Sequence, residues 1–117
     1  MERFSKWVEG YRRAWETNDP EDIRSLFTEG AVYHTEPYAE PIVGREAIVE
    51  DWIERKDEPG DTQWSSRVIG VDGDLGFVQG EAIYTTDPPR TYSNLWVIRL
   101  EGDRCREFTE WWMKHDP

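Results

Sequence analysis

The second half of this chain reads as four long strands joined by tight turns, and that feature most constrains the fold. Thr62–Val71 and Leu75–Thr86 form a hairpin about Asp72-Gly73. Thr91–Leu100 and Arg104–Lys114 form another about Glu101-Gly102-Asp103. Asp87-Pro88-Pro89-Arg90 is the loop between them. Asp-Gly and Gly-Asp supply the positive φ that such turns need. A meander of this length must cover one face, and everything helical lies before it.

Residues 2–18 form the first helix, with Phe4, Trp7, Val8, Tyr11 and Trp15 on one stripe. Asn18-Asp19-Pro20 ends it. Asp19 then caps a short second helix with Pro20 in its first position and Glu21 and Asp22 in the first turn. Ile23, Leu26 and Phe27 give that helix its inner face, and Gly30 suits its C-terminal cap. A first strand follows over Ala31–Glu36, with a short partner about Pro41–Val43. Gly44-Arg45-Glu46 opens a third helix over Arg45–Lys56, with Ile48, Trp52 and Ile53 at helical spacing; it stops before Pro59-Gly60. The order α-α-β-α-β-β-β-β is that of an α+β protein, one domain over residues 1–117. If the antiparallel sheet curves, the helices cap a cone and a pocket is left between them.

A chain of 117 residues can bury roughly two-thirds of its unfolded surface. Aromatics at 14%, with seven tryptophans, suit either a wide core or a lined cavity. The net charge of −11 repels phosphate backbones and anionic membranes, so the expected partner is a small molecule and neither nucleic acid nor membrane. Cys105 is alone, which excludes an intrachain disulfide and a cysteine-type zinc cluster. MERFSKWVEGYRR lacks the apolar core of a leader, and no run approaches the ~18 apolar residues of a membrane span. A cytoplasmic protein is expected.

Polar chemistry concentrates in Phe27–Trp52. His34, Glu36 and Tyr38 are spaced by two, which in an extended chain puts all three on one side. Pro37 and Pro41 stiffen the loop beyond. Glu36 is either a base whose pKa is raised at the mouth of an aromatic cavity or a solvated loop acid. His34 either relays a proton or is a ring bonded to backbone. Tyr92, Asn94 and Trp96 alternate on one strand and offer a hydroxyl, an amide and an indole to a pocket wall. Trp15, Trp52 and Trp64 add aromatic walls. Glu81 either joins the pocket acids or pairs with Arg67 or Arg99. His34, Glu36 and Glu110 match no metal-ligand spacing, so no metal and no cofactor are expected. Cys105 stands between Arg104 and Arg106, whose charges would lower its pKa. Alternation puts it on the face opposite Phe108 and Glu110, away from a pocket.

The segments YRRAWETNDPEDIRSLFTEGAVY, VGREAIVEDW and NLWVIRLEGDRCREFTEWW resemble the NTF2-like superfamily, within it the SnoaL-like and ketosteroid-isomerase-like proteins. The resemblance covers essentially the whole chain. It implies a curved antiparallel sheet wrapped around N-terminal helices, a cone-shaped α+β barrel, which often dimerises through its outer sheet face. It implies Tyr11 as an oxyanion donor on the first helix and Glu36, in an acid-Pro dipeptide, as the base. The second donor of the isomerase pattern falls on Trp96, whose indole N–H differs in geometry from a carboxylic acid. The resemblance also turns Phe108, Glu110 and Trp112 inward. The function expected is proton transfer on a small, mostly apolar molecule, as an isomerase, cyclase or dehydratase. The scaffold also hosts binders without chemistry and dimerisation modules. Convergence of His34, Glu36 and Glu110 on one enclosed space separates the enzyme from these.

Overall fold

A computed structural model describes residues 2–56, 62–85 and 88–115. In chain order the elements are α1 (Glu2–Thr17), α2 (Pro20–Arg24), β1 (Phe27–His34), β2 (Ile42–Val43) and α3 (Arg45–Glu54). Then come β3 (Thr62–Asp72), β4 (Leu75–Tyr84), β5 (Arg90–Glu101) and β6 (Arg104–Lys114). The α+β order expected from the sequence holds. The expected stop at Pro59-Gly60, and Thr86 and Asp87 around the loop, lie outside the described residues.

The strands make one curved, unclosed sheet in the order β2-β1-β6-β5-β4-β3. Gly73 and Gly102 take φ of 60° and 63° in the two hairpin turns, the left-handed region that glycine enters without a Cβ clash. Asp19 caps α2 by accepting from the Glu21 N–H at 2.9 Å, a contribution of about 1 kcal/mol. No helix among the described residues is long and apolar enough to cross a membrane.

The first strand departs from expectation. It runs from Phe27 to His34, not from Ala31 to Glu36. α2 closes at Arg24 with Ser25 as its cap, so Leu26 and Phe27 leave the helix and Gly30 caps nothing. The reason is a partner remote in sequence. β1 pairs parallel with β6, Phe27 opposite Cys105 and Tyr33 opposite Phe108, so the sheet is not antiparallel throughout. The register slips between Phe27 and Val32, leaving Glu29 and Gly30 exposed. The strand ends at His34 because the chain turns: the Ala39 N–H donates to the Glu36 carbonyl at 3.2 Å, and Pro37 has no donor for a ladder.

A second slip, between Arg99 and Leu100, reverses the alternation at the start of β6. Cys105 therefore faces the core on the same side as Phe108, against the expected opposite face. Its burial pushes the thiol up to about 12, so the flanking arginines do not activate it.

The core fills the narrow end of the cone. Phe4, Phe27, Ile98, Leu100, Cys105 and Phe108 are fully buried there. Each large apolar side chain so buried contributes roughly 1.5–3 kcal/mol. The Phe4 ring lies directly on the backbone of Gly76, where an added Cβ would meet Phe4 Cδ1 at 2.3 Å. Above this packing Tyr11, Tyr33 and Phe108 form a layer of rings: Tyr33 stacks on Phe108 at 4.6 Å and Tyr11 on Phe108 at 5.9 Å.

Candidate functional site

Beyond that ring layer a cavity of about 430 Å³ remains between helices and sheet. α1 sends in Tyr11 and Trp15. α3 sends in Ile48, Asp51 and Trp52, which share one helical stripe, and its cap residue Arg55 follows them. β1 and the turn after it bring Tyr33, Thr35 and Glu36. The sheet adds Thr62 and Trp64, Ala82 and Tyr84, Asn94 and Trp96, and Glu110 and Trp112. Buried Ile48, Ala82 and Trp96 mark its floor, and exposed Arg55, Lys56 and Trp112 mark its mouth.

Glu110 is the best-held acid of the cavity. It lies opposite Trp96 in the ladder. Its Oε2 accepts from Asn94 Nδ2 at 2.9 Å and from Trp96 Nε1 at 3.1 Å. Burial raises its pKa above the ordinary carboxylate value, and the two donors only partly offset that. Both bonds go to one oxygen, so Oε1 is available to carry the proton. Tyr33 is pushed well above the ordinary phenol value, first by burial and then by Tyr11 and Glu110 beside it. It shares a hydrogen bond with Tyr11. Tyr33 therefore stays protonated at neutral pH and presents an O–H group, not a phenolate.

The other two acids lie nearer the mouth. Asp51 takes the Arg55 guanidinium, Nε to Oδ1, at 3.2 Å. Glu36 accepts a hydrogen bond from the Tyr38 hydroxyl. Trp52 Nε1 donates to Asn18 Oδ1 at 3.2 Å, which fixes its indole as a wall. Thr62 Oγ1 and Asn94 Oδ1 are buried without a hydrogen-bond partner.

The structure gathers Tyr11, Trp15, Glu36, Trp52, Trp64, Asn94, Trp96, Glu110 and Trp112 around one space. Other sequence candidates lie elsewhere. His34 is on the outer face of the sheet, its Nε2 3.3 Å from Glu107 Oε2, because in β1 it alternates with the inward Tyr33. Tyr38 is 84% exposed, since the turn at Thr35 breaks the spacing of two. Glu81 points outward opposite Ser65 and Ser93, while its neighbour Ala82 faces in. It pairs with neither expected arginine: Arg67 reaches Gln79 at 3.4 Å and Arg99 reaches Glu107 at 3.8 Å. Tyr92 packs edge-on against Tyr84 and Trp112 and does not line the cavity. Phe108 lies in the ring layer below.

With His34 outside, the trio His34, Glu36 and Glu110 does not converge. Among the described residues no three His, Cys, Asp or Glu side chains are grouped to hold a metal ion. Sequence reasoning misses Tyr33 and Asp51. The stripe Ile48, Asp51, Trp52 is the signal that finds Asp51, and the step of two from Ala31 finds Tyr33.

Known proteins carry the same architecture. An NTF-2 like protein from Burkholderia xenovorans LB400 superposes with a TM-score of 0.73 at 15% identity, covering 99% of this chain and 85% of that one. A Bacillus subtilis protein described as a candidate isomerase gives 0.73 at 21% identity, covering 97% and 90%. An LEH-like epoxide hydrolase of M. tuberculosis gives 0.70 at 14% identity, covering 92% and 80%. Comparison with curated protein sequences gives no match. The model of the SnoaL-like domain matches residues 8–108. With that match over most of its length, and with a helix-capped curved sheet around one cavity, the chain belongs to the SnoaL-like domain family, within the NTF2-like fold.

Proposed function

We propose that this SnoaL-like protein takes a small, mostly apolar organic molecule into the cavity and moves a proton on it, as an isomerase, cyclase or dehydratase without a cofactor. One observation carries the reading: carboxyls of different character, from Glu36 and Glu110, open with the Tyr11–Tyr33 hydroxyl pair into a space walled by indoles. Burial and two donors on one oxygen suit Glu110 to an acid role, and the Glu36 carboxylate at the turn supplies a second group for proton transfer. The candidate isomerase and the epoxide hydrolase among the structural neighbours support the same kind of ligand.

Glu36, nearer solvent, is the base. It removes a proton from carbon or water, and the electron pair left behind moves onto an oxygen of the substrate. Protonated Glu110 and Tyr11, backed by Tyr33, donate hydrogen bonds to that oxygen as it gains charge. Returning the proton to another carbon gives isomerisation; re-forming the carbonyl while a hydroxyl on the β-carbon takes a proton from Glu110 and leaves as water gives dehydration. The test begins with a small-molecule screen for a compound the protein transforms. Glu36→Gln keeps the shape and removes the base, so turnover falls roughly 10²–10⁴-fold with affinity little changed. Wild-type turnover in that variant would falsify the assignment.

A non-catalytic binder is the second reading. It is favoured by His34 lying outside the cavity, so that His34, Glu36 and Glu110 do not converge, and by the hydrogen bond from Tyr38, which occupies the Glu36 carboxylate. Binding without any transformation, across compounds that fill the cavity, decides for it.

The working unit we propose is a homodimer joined through the outer sheet face, with no nucleic-acid partner. Trp111 and Met113 are 52% and 69% exposed on that face, and a monomer leaves them in water. The charge of −11 supports the rest. Sedimentation as a monomer at micromolar concentration overturns the dimer.

A further inference from the structure

Two side chains of β5 converge on one atom of β6. Asn94 and Trp96 are two residues apart and so share the inward face of the sheet. Asn94 Nδ2 reaches Glu110 Oε2 at 2.9 Å, and Trp96 Nε1 reaches the same oxygen at 3.1 Å. An indole nitrogen only donates, so Trp96 marks Oε2 as an acceptor. No described residue hydrogen-bonds the other oxygen, Oε1, and that atom is not sealed from solvent as Asn94 Oδ1 is. Holding the acid in this way is costly. The sealed Oδ1 of Asn94 has no partner, and Gly80, across the ladder on β4, brings no side chain to supply one. A buried polar atom left unpaired costs more than an average hydrogen bond gains. An apolar residue of the same size would avoid that loss, so packing alone does not account for an asparagine here.

Resting on the reading of Glu110 as the acid of the cavity, we infer that Asn94 is a positioning residue: with Trp96 it fixes Oε2 as the accepting oxygen and leaves the Glu110 proton to Oε1, the oxygen open to a ligand. When that proton passes to an oxygen of the substrate, the O–H bond of Glu110 breaks and its electron pair stays on the carboxylate. Two N–H groups already face the charge so formed. Asn94 thus acts through Glu110. Tyr11 on α1, Tyr33 on β1, Glu36 at the turn, Tyr84 on β4, and Asp51, Arg55 and Lys56 at α3 share the cavity. The hydrogen bonds on Glu110 come from Trp96 and Asn94, so its titration reports those two donors.

The test follows the Glu110 carboxyl itself by NMR, in the full chain isotope-labelled at the glutamate side-chain carboxyls. The Glu110 resonance is the one absent from Glu110→Gln. Asn94→Leu keeps the size and loses the donor. Its Glu110 titration midpoint should move to higher pH than in the parent, since the carboxylate loses an N–H partner. The indole N–H signal of Trp96 should titrate with the same midpoint. Asn94→Thr, whose hydroxyl stops one bond short of the amide nitrogen, gives the same reading if leucine disturbs the fold. A merely structural asparagine would leave the midpoint where it is. An unmoved midpoint in both variants overturns the inference. So does a lower one, which would mean that Asn94 takes the Glu110 proton instead of donating. With a transformed compound in hand, Asn94→Leu should lower kcat roughly tenfold with KM changed less than about twofold, and an unchanged kcat overturns the role. An unmoved midpoint beside an inactive Glu36→Gln removes Asn94 and leaves the proton-transfer reading standing. A raised midpoint in a protein that transforms nothing keeps the hold of Asn94 on Glu110 and overturns the catalytic reading.

Discussion

The two ends of the cone are built from the same elements and do opposite things. On α1, Phe4 and Val8 belong to the narrow end and Tyr11 and Trp15 to the wide one. On β5, Ile98 and Leu100 are followed toward the wide end by Trp96 and Asn94. On β6, Cys105 and Phe108 give way to Glu110 and Trp112. Side chains without polar atoms interdigitate until no space is left. At the wide end the rings carry N–H and O–H groups with partners of their own, Trp96 on Glu110 and Trp52 on Asn18, while the buried Trp7 is satisfied by the Leu26 carbonyl at 2.9 Å. The cavity is therefore a consequence of composition changing along each element, with no special loop needed to make it. Stability and function are divided between the ends, and each can be disturbed separately.

Phe4→Ala disturbs the narrow end most. It should cost roughly 3–5 kcal/mol by urea unfolding, whereas Trp112→Ala at the half-open mouth should cost far less. Similar losses from both would erase the distinction between the ends. Gly76→Ala attacks the same packing from the sheet side and should cost roughly 1–3 kcal/mol, since the Phe4 ring must move aside. Adding Phe4→Ala to it should cost less than the two single changes together; additivity would show that Phe4 and Gly76 are not coupled.

The smallest effect belongs to the wide end and depends on pH. The folded chain holds the Glu110 proton more tightly than the unfolded chain does. Below the unfolded carboxyl value both states are protonated and Glu110 carries no ionisation penalty. As pH rises through that value toward the folded one, only the unfolded state releases its proton, and stability falls. Glu110→Gln cannot ionise and keeps an oxygen for Asn94 and Trp96. Its stability relative to the parent should therefore rise as pH increases from about 4, the ordinary carboxyl value, toward the raised folded one. A difference that stays flat or narrows over that window would contradict burial as the dominant influence on Glu110.

Most of the architecture could be read in advance because hairpins are local. Gly73 and Gly102 announce their turns, and alternation then puts Asn94 and Trp96 on one side of β5, although the slip between Arg99 and Leu100 turns Cys105 inward at the start of β6. β1 could not be read that way. Its register depends on β6, at the far end of the sequence, and a displaced boundary transfers side chains between faces. That is why the sequence points to His34 at the site and passes over Tyr33. Glu36 reaches the cavity by a turn, not by the strand alternation that first singled it out. Asp51 was overlooked because a carboxylate on an amphipathic stripe reads as surface unless the stripe borders a hollow.

The parallel pairing of β1 with β6 also sets an order of events during synthesis. The ribosome releases Phe27–His34 well before Arg104–Lys114, so β1 waits while the residues between them are made, with only two-residue β2 to pair with. Contacts this distant in sequence close slowly, since the chain between must first be ordered. Tyr33 and Glu36 meet Glu110 only when the final strand joins. A nascent chain holding α1 through β5 has its helices and central hairpins, yet no complete ligand chamber to offer.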